Sequence, residues 1–428
     1  METIQAYLER KHEELGLLND CLRHRLDLAR PRSIDEVIRS KFQLTAALRA
    51  EHELHEWNAT ETAWSHTADP ISGPFEFSYD YQRADLTVRG PSFYELDRGC
   101  ASTAIYTASG MAAISAVLLA SAQIVEKADV LVLPGSYGET LELIRGFVPH
   151  LRLVALSLPL GDALACANSP RILLLDSCCV ADAFDAVLRC DGAGLDLLIC
   201  DTTCFAGRSG RIRRVRRWAR RYRVPLVLVR SHNKLDSLGA EYGRLGSAVF
   251  VNDNQHEPRT EHPWTRLSAE TRNAVRLLGG AALPAHFPPF VGSAAYCNLT
   301  QRRVAAILRN GRSMARHFAA KLPELSAELH FAHGLYVTLR GRRSLDEASA
   351  RQAAADMSHD LRAEGFPIRH AGSFGFDFAA TEWFHDATTG RYSVRVAVSD
   401  LPTELWSDLT VAIARWWRAH QPAGVGEG

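Results

Sequence analysis

The chain has 428 residues, which is enough for two or three domains with hydrophobic cores of their own. Lysine plus arginine and aspartate plus glutamate number 49 each, so no net charge draws the protein toward nucleic acid or an anionic membrane. No run approaches the roughly 18 apolar residues that cross a bilayer, and the charged start, "METIQAYLERKHEELG", lacks the apolar core of a signal peptide. A cytoplasmic protein is therefore expected. The nine cysteines show no metal-ligand spacing with histidine, which predicts reduced, structural cysteines and no metal site.

Residues 1–80 are predicted to form an N-terminal helical arm. Apolar residues recur at helical spacing in "TIQAYLERKHEELGLLNDCLRHRLDLA". After an Arg-Pro break, Ser33 and Glu36 form a capping box, which predicts a second helix through "VIRSKFQLTAALRAEHELHEW". We expect this arm to pack on its own core or on a neighbouring subunit.

Residues 81–262 are predicted to form a large α/β domain. Helical stretches such as "GMAAISAVLLASAQIV" and "GETLELIRGFV" alternate with seven short apolar runs: "TAIYTA", "ADVLVLP", "LRLVALSL", "RILLLDS", "LDLLICD", "VPLVLVR" and "SAVFV". This alternation predicts a mainly parallel sheet with helices on both faces. Ligands of such sheets bind at the carboxyl ends of the strands, so the residues after each run are the candidates for a site.

An arginine-rich segment of this domain, "GRSGRIRRVRRWARRYRV", holds nine arginines within residues 207–224. Nucleic-acid binding is one interpretation of such a segment. The spacing of Val215, Trp218, Ala219 and Tyr222 predicts one buried helical stripe, with the arginines on the solvated faces. We therefore expect no nucleic-acid partner and no membrane partner.

Residues 263–428 are predicted to form a smaller C-terminal α/β domain. Its expected elements are a helix from Thr300 to Lys321, a strand at "LHFAHGLYVTLRG", a helix at "SLDEASARQAAADMSHDLRAEG", a strand at "RYSVRVAVS" and a helix at "PTELWSDLTVAIARWWRAH". The last residues, "PAGVGEG", are expected to be disordered.

Two strand ends of the large domain carry features suited to a phosphate and to a flat ring. Ser109, Gly110 and Met111 open a helix, whose N-terminal N–H groups and dipole favour a phosphate. Tyr137 stands in "GSYGET", where its ring can stack on a planar ligand. Read alone, the first motif equally fits an ordinary helix start, and the second equally fits a tyrosine packed on its own loop.

Two further strand ends carry charge. Asp201 ends "LDLLICD" and is followed by Thr203; a buried carboxylate there needs a cationic partner unless it caps a helix. Lys234 follows Ser231 and Asn233 after "VPLVLV", and either its amine reaches water or a ligand uses its charge. A phosphate site, a stacking ring, a carboxylate and an amine together fit pyridoxal 5′-phosphate (PLP). The carboxylate would keep the ring nitrogen protonated, and the amine would capture the aldehyde.

The chain resembles the fold-type I PLP-dependent enzymes and, among them, the Cys/Met-metabolism family of cystathionine γ-synthase, cystathionine γ-lyase and methionine γ-lyase. Five motifs carry the resemblance, in family order over roughly residues 100–410: "SGMAA", "GSYGETLEL", "CDTTCF", "SHNK" and "YSVRVAVSDLPTELWSDL". The resemblance implies the fold-type I PLP-dependent transferase fold, a homodimer or homotetramer, and γ-elimination or γ-replacement on an amino acid.

The resemblance also implies roles for individual residues. Lys234, Tyr137 and Asp201 are the implied catalytic residues. Arg395 would bind the substrate carboxylate, and Ser373 is a second candidate for substrate binding. The implied cofactor-binding residues are Ser109, Gly110, Met111, Tyr137, Asp201, Thr203, Ser231, Asn233 and Lys234, with Tyr81 and Arg83 supplied by the neighbouring subunit.

The chain departs from the family at several positions. Thr202 stands in place of an asparagine and Asn233 in place of a threonine, while "LDSLGAEYGRLG" replaces Gly-His-Ser-Asp. These departures suggest a divergent member with a specialised reaction, such as halide elimination of the propargylglycine synthase type or use of S-adenosylmethionine.

Two alternative functions remain open. A PLP-dependent aminotransferase is one, although no second arginine is clearly placed for a dicarboxylate. A transcription regulator with a PLP-enzyme-like domain belongs to another class, but the first 75 residues show no helix-turn-helix spacing.

Overall fold

The structure is a computed structural model that describes residues 2–56, 66–68, 73–79, 86–96, 100–165, 169–253, 263–326, 334–386 and 390–421. The α-helices are α1 (Ile4–Asp20), α2 (Ile34–Glu56), α3 (Gly110–Ala120), α4 (Gly138–Phe147), α5 (Ala181–Val187), α6 (Gly210–Tyr222), α7 (Leu267–Leu278), α8 (Ala294–Lys321), α9 (Glu347–Ala363) and α10 (Thr403–Ala419). The strands are β1 (His66–Ala68), β2 (Glu76–Tyr79), β3 (Thr87–Arg89), β4 (Cys100–Thr107), β5 (Ala128–Val132), β6 (Leu151–Ala155), β7 (Arg171–Asp176), β8 (Leu197–Asp201), β9 (Leu226–Ser231), β10 (Gly246–Asp253), β11 (Tyr336–Leu339), β12 (Ile368–His370), β13 (Ala379–Asp386) and β14 (Arg391–Ala397). In the described part of the chain, none of the helices is both long and apolar enough to span a membrane.

The chain divides into two compact units. The sheet unit consists of Leu48–Ser237 and Tyr242–Gly292. The terminal unit combines Met1–Ala47 and the short segment Leu238–Glu241 with Ser293–Gly428. The N-terminal helix α1 therefore shares a compact unit with the C-terminal part of the chain.

The sheet unit is built on a seven-stranded sheet in the order β4-β10-β9-β8-β7-β5-β6. Strands β5 to β9 run parallel to one another, and only β10 runs antiparallel to its neighbours. The predicted, mainly parallel α/β sheet is thus confirmed. Each of the seven apolar runs overlaps a strand, because apolar side chains of adjacent strands pack with α5 and α6 into one core that includes Leu131, Leu173, Leu198, Leu228, Phe184 and Trp218.

The start of β10 brings two segments of this sheet together. Gly246 is the register partner of both Thr107, at the end of β4, and Ser231, at the end of β9. A Cβ atom on Gly246 would lie 2.2 Å from the carbonyl oxygen of Ser109 and 2.6 Å from the nitrogen of Gly110. Glycine at this position therefore allows helix α3 to begin beside the end of β9.

Helix α6 contains the arginine-rich segment. Val215, Trp218 and Ala219 are buried, as the helical stripe predicts, and Tyr222 is half-buried. The expectation that all of the arginines lie on solvated faces is wrong for Arg216, which is 8% exposed. This residue follows Val215 directly, so it falls at the border of the apolar stripe.

The terminal unit contains a four-stranded mixed sheet in the order β11-β14-β13-β12. The predicted long helix is α8, which begins at Ala294 instead of Thr300 because the Ser293 hydroxyl caps it by accepting a hydrogen bond from the Tyr296 nitrogen at 3.1 Å. The first predicted helix is shorter than expected. It ends at Asp20, and the Asn19 amide then binds both backbone groups of Leu26 at 2.8 and 2.9 Å, which closes a loop.

The predicted capping box of α2 has a variant geometry. The Ser33 hydroxyl accepts a hydrogen bond from the Glu36 nitrogen at 3.2 Å, as expected. The Glu36 carboxylate accepts its bond from the Arg32 nitrogen at 2.7 Å, one residue before the cap. The start of α2 is therefore stabilised by two side-chain-to-backbone hydrogen bonds, one accepted by Ser33 and one by Glu36.

A buried ion cluster stabilises the terminal unit. Its members are four cations (Arg10, Lys11, Lys41 and Arg303) and three anions (Glu14, Asp377 and Asp400), each at most 3% exposed. The closest pairs join Arg10 to Asp400, Lys11 to Asp377 and Arg303 to Asp377, each at 2.5 Å, and Lys41 to Glu14 at 2.6 Å. Burial alone would raise the pKa of Asp377, but Arg303, Lys11 and Lys41 hold it well below its usual range.

Candidate active site

The lysine-bearing segment follows β9 at the edge of the sheet unit. Lys234 is half-buried in a turn, with the buried residues His232 and Asp236 two positions to either side. Arg230 donates two hydrogen bonds to the Asp236 carboxylate, at 2.6 and 2.7 Å. Burial would raise the pKa of Asp236, but Arg230 and the hydrogen bond from His232 lower it to about 2. The turn that carries Lys234 is therefore fixed by a buried ion pair.

His232 forms the second anchor of this turn. Its Nδ1 lies 2.8 Å from Asp236 Oδ2, and its Nε2 lies 2.8 Å from Ser247 Oγ. This connectivity resembles the Ser-His-Asp triad of hydrolases. All three residues are at most 3% exposed and Arg230 neutralises the aspartate, so the arrangement is a structural network that orients the lysine-bearing turn.

Two buried aspartates end the adjacent parallel strands β7 and β8. Asp176 and Asp201 are register partners and are 1% and 8% exposed. The Asp201 carboxylate accepts a hydrogen bond from the Thr203 nitrogen at 2.8 Å. The two oxygens of Asp176 accept bonds from the nitrogens of Cys178, at 2.7 Å, and Tyr137, at 2.8 Å. We call Asp176 and Asp201 the aspartate pair.

The aspartate pair has raised pKa values and no ion-pair partner among the described residues. Burial, with a further contribution from Asp201, raises the pKa of Asp176 to about 7. Burial also raises the pKa of Asp201, although hydrogen bonds from Thr203 oppose this shift. Within the described ranges, no lysine or arginine forms an ion pair with either carboxylate, and the nearby Arg230 pairs with Asp236 instead.

The predicted phosphate-binding helix start lies at the same edge. Ser109 is the N-cap of α3, and its hydroxyl accepts a hydrogen bond from the Ala112 nitrogen at 3.0 Å. A Cβ atom on Gly110 would lie 2.9 Å from the Cβ of Ser231, so this glycine packs directly on the end of β9. The Ser231 nitrogen in turn donates to the Thr203 hydroxyl at 3.1 Å. These contacts join the ends of β4, β8 and β9.

Tyr137 lies at the start of α4 and is half-buried. Gly135 supplies the turn before it with a φ of +80°, a conformation that favours glycine. The bond from the Tyr137 nitrogen to Asp176 ties this turn to the aspartate pair. The Thr140 hydroxyl lies 3.8 Å from the sulfur of Met111, which links α4 to the start of α3.

The predicted substrate-binding residues lie in the terminal unit. Arg395 donates from Nε to Glu382 at 2.6 Å, and its guanidinium lies over the rings of Tyr336 and Phe384 at 4.3 and 4.6 Å. Ser373 is half-buried in the loop between β12 and β13. The two residues predicted from the neighbouring subunit, Tyr81 and Arg83, lie outside the described residues.

The structure thus places every candidate of the large domain, from Ser109 to Lys234, along one edge of one sheet, and their roles stay predictions. The sequence interpretation did not include Asp176, Arg230 or Asp236. Asp176 ends the apolar run "RILLLD" just as Asp201 ends "LDLLICD", so the same signal identifies both. Arg230 and Asp236 flank the lysine with opposite charges six positions apart, which is a weaker signal.

No protein-family model matches the chain, and no curated protein matches it. Among solved structures, the chain is similar to the crystal structure of metB from Corynebacterium glutamicum, with a TM-score of 0.52 and 14% identity over 74% of this chain and 80% of that chain. The crystal structure of cystathionine γ-synthase from Xanthomonas oryzae pv. oryzae in complex with cystathionine matches over 74% of this chain and 82% of that chain, with 18% identity and a TM-score of 0.48. The chain therefore has the predicted fold, that of the fold-type I PLP-dependent enzymes.

Proposed function

We propose that the protein is a PLP-dependent enzyme that acts on an amino acid. The observation that carries this proposal is the buried aspartate pair, which has no ion-pair partner among the described residues and lies at the same sheet edge as the half-buried Lys234. A protonated ring nitrogen would supply the missing positive charge next to Asp201. The amine of Lys234 would bind the aldehyde of the same cofactor.

Three further features fit this cofactor. The Oδ1 atom of Asn233 is buried and has no hydrogen-bond partner among the described residues, which favours a ligand donor at this position. The start of α3 at Gly110 presents first-turn N–H groups that no helical carbonyl can reach, as a phosphate requires. Tyr137 lies at the start of the neighbouring helix, where its ring would stack on the cofactor.

PLP supplies an electron sink that stabilises negative charge at the α-carbon of a bound amino acid. In this proposal Lys234 removes the α-proton at Nζ, and Asp201 keeps a proton on the ring nitrogen. Tyr137 orients the ring and holds a proton near the departing group. Arg395 binds the substrate carboxylate through its guanidinium, with Ser373 as a second contact.

We further propose γ-elimination or γ-replacement as the reaction, in a homodimer or homotetramer of a cytoplasmic protein. Chemistry at the γ-carbon requires removal of an α-proton and a β-proton and then departure of the γ-group. Lys234 and Tyr137 provide two proton-transfer groups at the ends of two strands of one sheet. Transamination is the alternative, and it needs only the lysine.

The cofactor proposal is tested by fixing PLP to the protein. Borohydride reduction of the PLP-loaded protein should attach the cofactor covalently to the peptide that contains Lys234, as measured by mass spectrometry. The Lys234→Ala variant should not retain it, whereas the control Lys127→Ala, at an exposed lysine of the same unit, should. A cofactor fixed to the Lys234→Ala protein would contradict the assignment.

The reaction is tested by turnover of γ-substituted amino acids in D₂O. γ-Elimination or γ-replacement should release the γ-group and leave deuterium at the β-carbon. Accumulation of the amine form of the cofactor, with turnover that depends on an added ketoacid, would instead establish an aminotransferase.

A further inference from the structure

Two cysteines meet beside the aspartate pair. The sulfur atoms of Cys178 and Cys204 lie 3.4 Å apart. Cys178 follows Asp176 by two residues, and Cys204 follows Asp201 by three. The two thiols therefore belong to the loops that leave the adjacent strands β7 and β8 at the candidate site.

The backbone already holds these two loops together. The Ser177 nitrogen donates to the Asp201 carbonyl at 2.9 Å, and the Cys204 nitrogen donates to the Ser177 hydroxyl at 3.0 Å. A disulfide needs a sulfur–sulfur distance of about 2.05 Å, so the sulfurs must approach by about 1.4 Å. Because Ser177, directly before Cys178, joins the two loops through both bonds, side-chain rotation can supply most of that movement.

Exposure distinguishes this pair from the other cysteines nearby. Cys179 and Cys200 are fully buried and pack in the core of the sheet unit. Cys204 is 2% exposed, whereas Cys178 is only half-buried. An oxidant that enters from the sheet edge therefore meets Cys178 first and finds Cys204 directly behind it.

We propose that Cys178 and Cys204 form an oxidisable dithiol site, which hydrogen peroxide converts into a disulfide. The sulfur of Cys178 attacks the peroxide, the O–O bond breaks, and one water leaves as a sulfenic acid forms. The sulfur of Cys204 then displaces the hydroxyl group as a second water, and the S–S bond forms. The two thiols lose two electrons and two protons, and hydrogen peroxide takes both to become two waters.

The surroundings of Cys178 make this reaction slow at neutral pH. The hydrogen bond with Cys204 and burial raise the pKa of the Cys178 thiol, and Asp176, Cys204 and Asp201 add to the shift through their charge. The thiolate is the reactive form, so only a small fraction reacts at pH 7. Oxidation should accelerate as the pH is raised toward 9.

The test is peptide mapping after peroxide treatment of the full-length protein, with the remaining thiols alkylated. We expect a linked pair of peptides containing Cys178 and Cys204, loss of two alkylated cysteines, and reversal by dithiothreitol. Cys204→Ser should abolish the linked peptides, whereas Cys190→Ser, at another half-buried cysteine of the sheet unit, should retain them.

Three outcomes would overturn the proposal. One is a disulfide from Cys178 to a different cysteine, and another is irreversible oxidation of Cys178 without linkage. The third is unchanged alkylation of both thiols at pH 9. None of these readouts needs PLP, so the test is independent of the proposed enzymatic function.

Discussion

The ion cluster of the terminal unit and the aspartate pair of the sheet unit are both groups of buried ionisable side chains. The pKa values of their carboxyl groups, however, shift in opposite directions. In the ion cluster, Asp377 and Asp400 have lowered pKa values because arginine and lysine side chains contact them. In the aspartate pair, burial without a paired cation raises the pKa of Asp176 to about 7. Burial raises the pKa of the carboxyl groups in both places, so the presence of paired cations decides whether the pKa is finally raised or lowered.

This difference separates a structural cluster from a binding site. Each carboxylate of the ion cluster has cationic partners within the terminal unit, so none of them needs positive charge from a ligand. The aspartate pair has hydrogen bonds from backbone nitrogens but no ion pair in the part of the chain that the structure describes. A cationic ligand would complete this pair, which is the physical basis of the proposed PLP site.

The largest effect should come from removing one cation from the ion cluster. Arg303 contacts Asp377 at 2.5 Å and Asp400 at 3.2 Å, so Arg303→Met removes one cationic partner from each of these two buried carboxylates. We expect the free energy of unfolding to fall by about 3–5 kcal/mol, measured by urea denaturation. The control is Arg302→Met on the same helix, whose exposed pair with Glu13 should be worth less than about 1 kcal/mol. Equal losses in the two variants would contradict a self-neutralised cluster.

The second prediction concerns the pH dependence of stability in the PLP-free protein. The pKa of Asp176 is about 7 in the folded state and about 4 when unfolded, so the folded state holds this proton more tightly. The stabilisation that this proton provides is complete below about pH 4 and is lost as the pH rises toward 7. The free energy of unfolding should fall by on the order of a few kcal/mol over this range. Asp176→Asn should reduce the pH dependence of stability between about pH 4 and 7, measured by urea denaturation, and PLP should reduce it in the wild type.

The ion cluster provides the opposite control for that experiment. The pKa of Asp377 is lowered, so its contribution is present above about pH 4 and is lost as the pH falls below that value. Asp176→Asn should leave this loss of stability below about pH 4 unchanged. If stability depended on pH between about 4 and 7 as steeply in Asp176→Asn as in the wild type, Asp176 would not be the group that titrates there.

The smallest predicted effect tests the hydrogen bonds around the aspartate pair. Thr203→Val removes the hydroxyl that accepts from the Ser231 nitrogen at 3.1 Å and leaves that donor without its partner. We expect a loss of about 1–2 kcal/mol in the free energy of unfolding. Thr203→Ser retains the hydroxyl and should restore most of the stability. A Thr203→Ser protein as unstable as Thr203→Val would indicate that the methyl group matters instead.

The sheet could be predicted from the sequence because each of its buried strands is a short apolar run. Strand β13 was not predicted, since "FGFDFAATEWFHD" mixes aromatic, acidic and small residues without clear alternation, and β12 has only three residues, too few to show a period. The predicted end of α1 was also wrong, because helical periodicity gives no indication of the hydrogen bonds between the Asn19 amide and the Leu26 backbone. Local patterns thus identified the elements better than their boundaries.

The candidate site shows the same limit. Asp201 and Lys234 could be found because each charged residue follows an apolar run. That Asp176 and Asp201 lie side by side depends on strand order, which periodicity does not encode. The anchoring of Lys234 by Arg230 and Asp236 depends on side-chain geometry in the turn. Sequence patterns therefore identified the charged candidate residues, and the structure revealed the neighbouring side chains that hold them in place.

The division of the terminal unit between both parts of the chain has a consequence for synthesis. Arg10 and Asp400 are 390 positions apart, and Lys11 and Asp377 are 366 apart. A ribosome that adds about 5–20 residues per second needs roughly 20–80 s to cover that distance. Helix α1 must wait for its partners with its charges in water, and these charges keep the waiting helix hydrated. The sheet unit, whose strands are all synthesised before the partners of α1, can therefore complete its folding first.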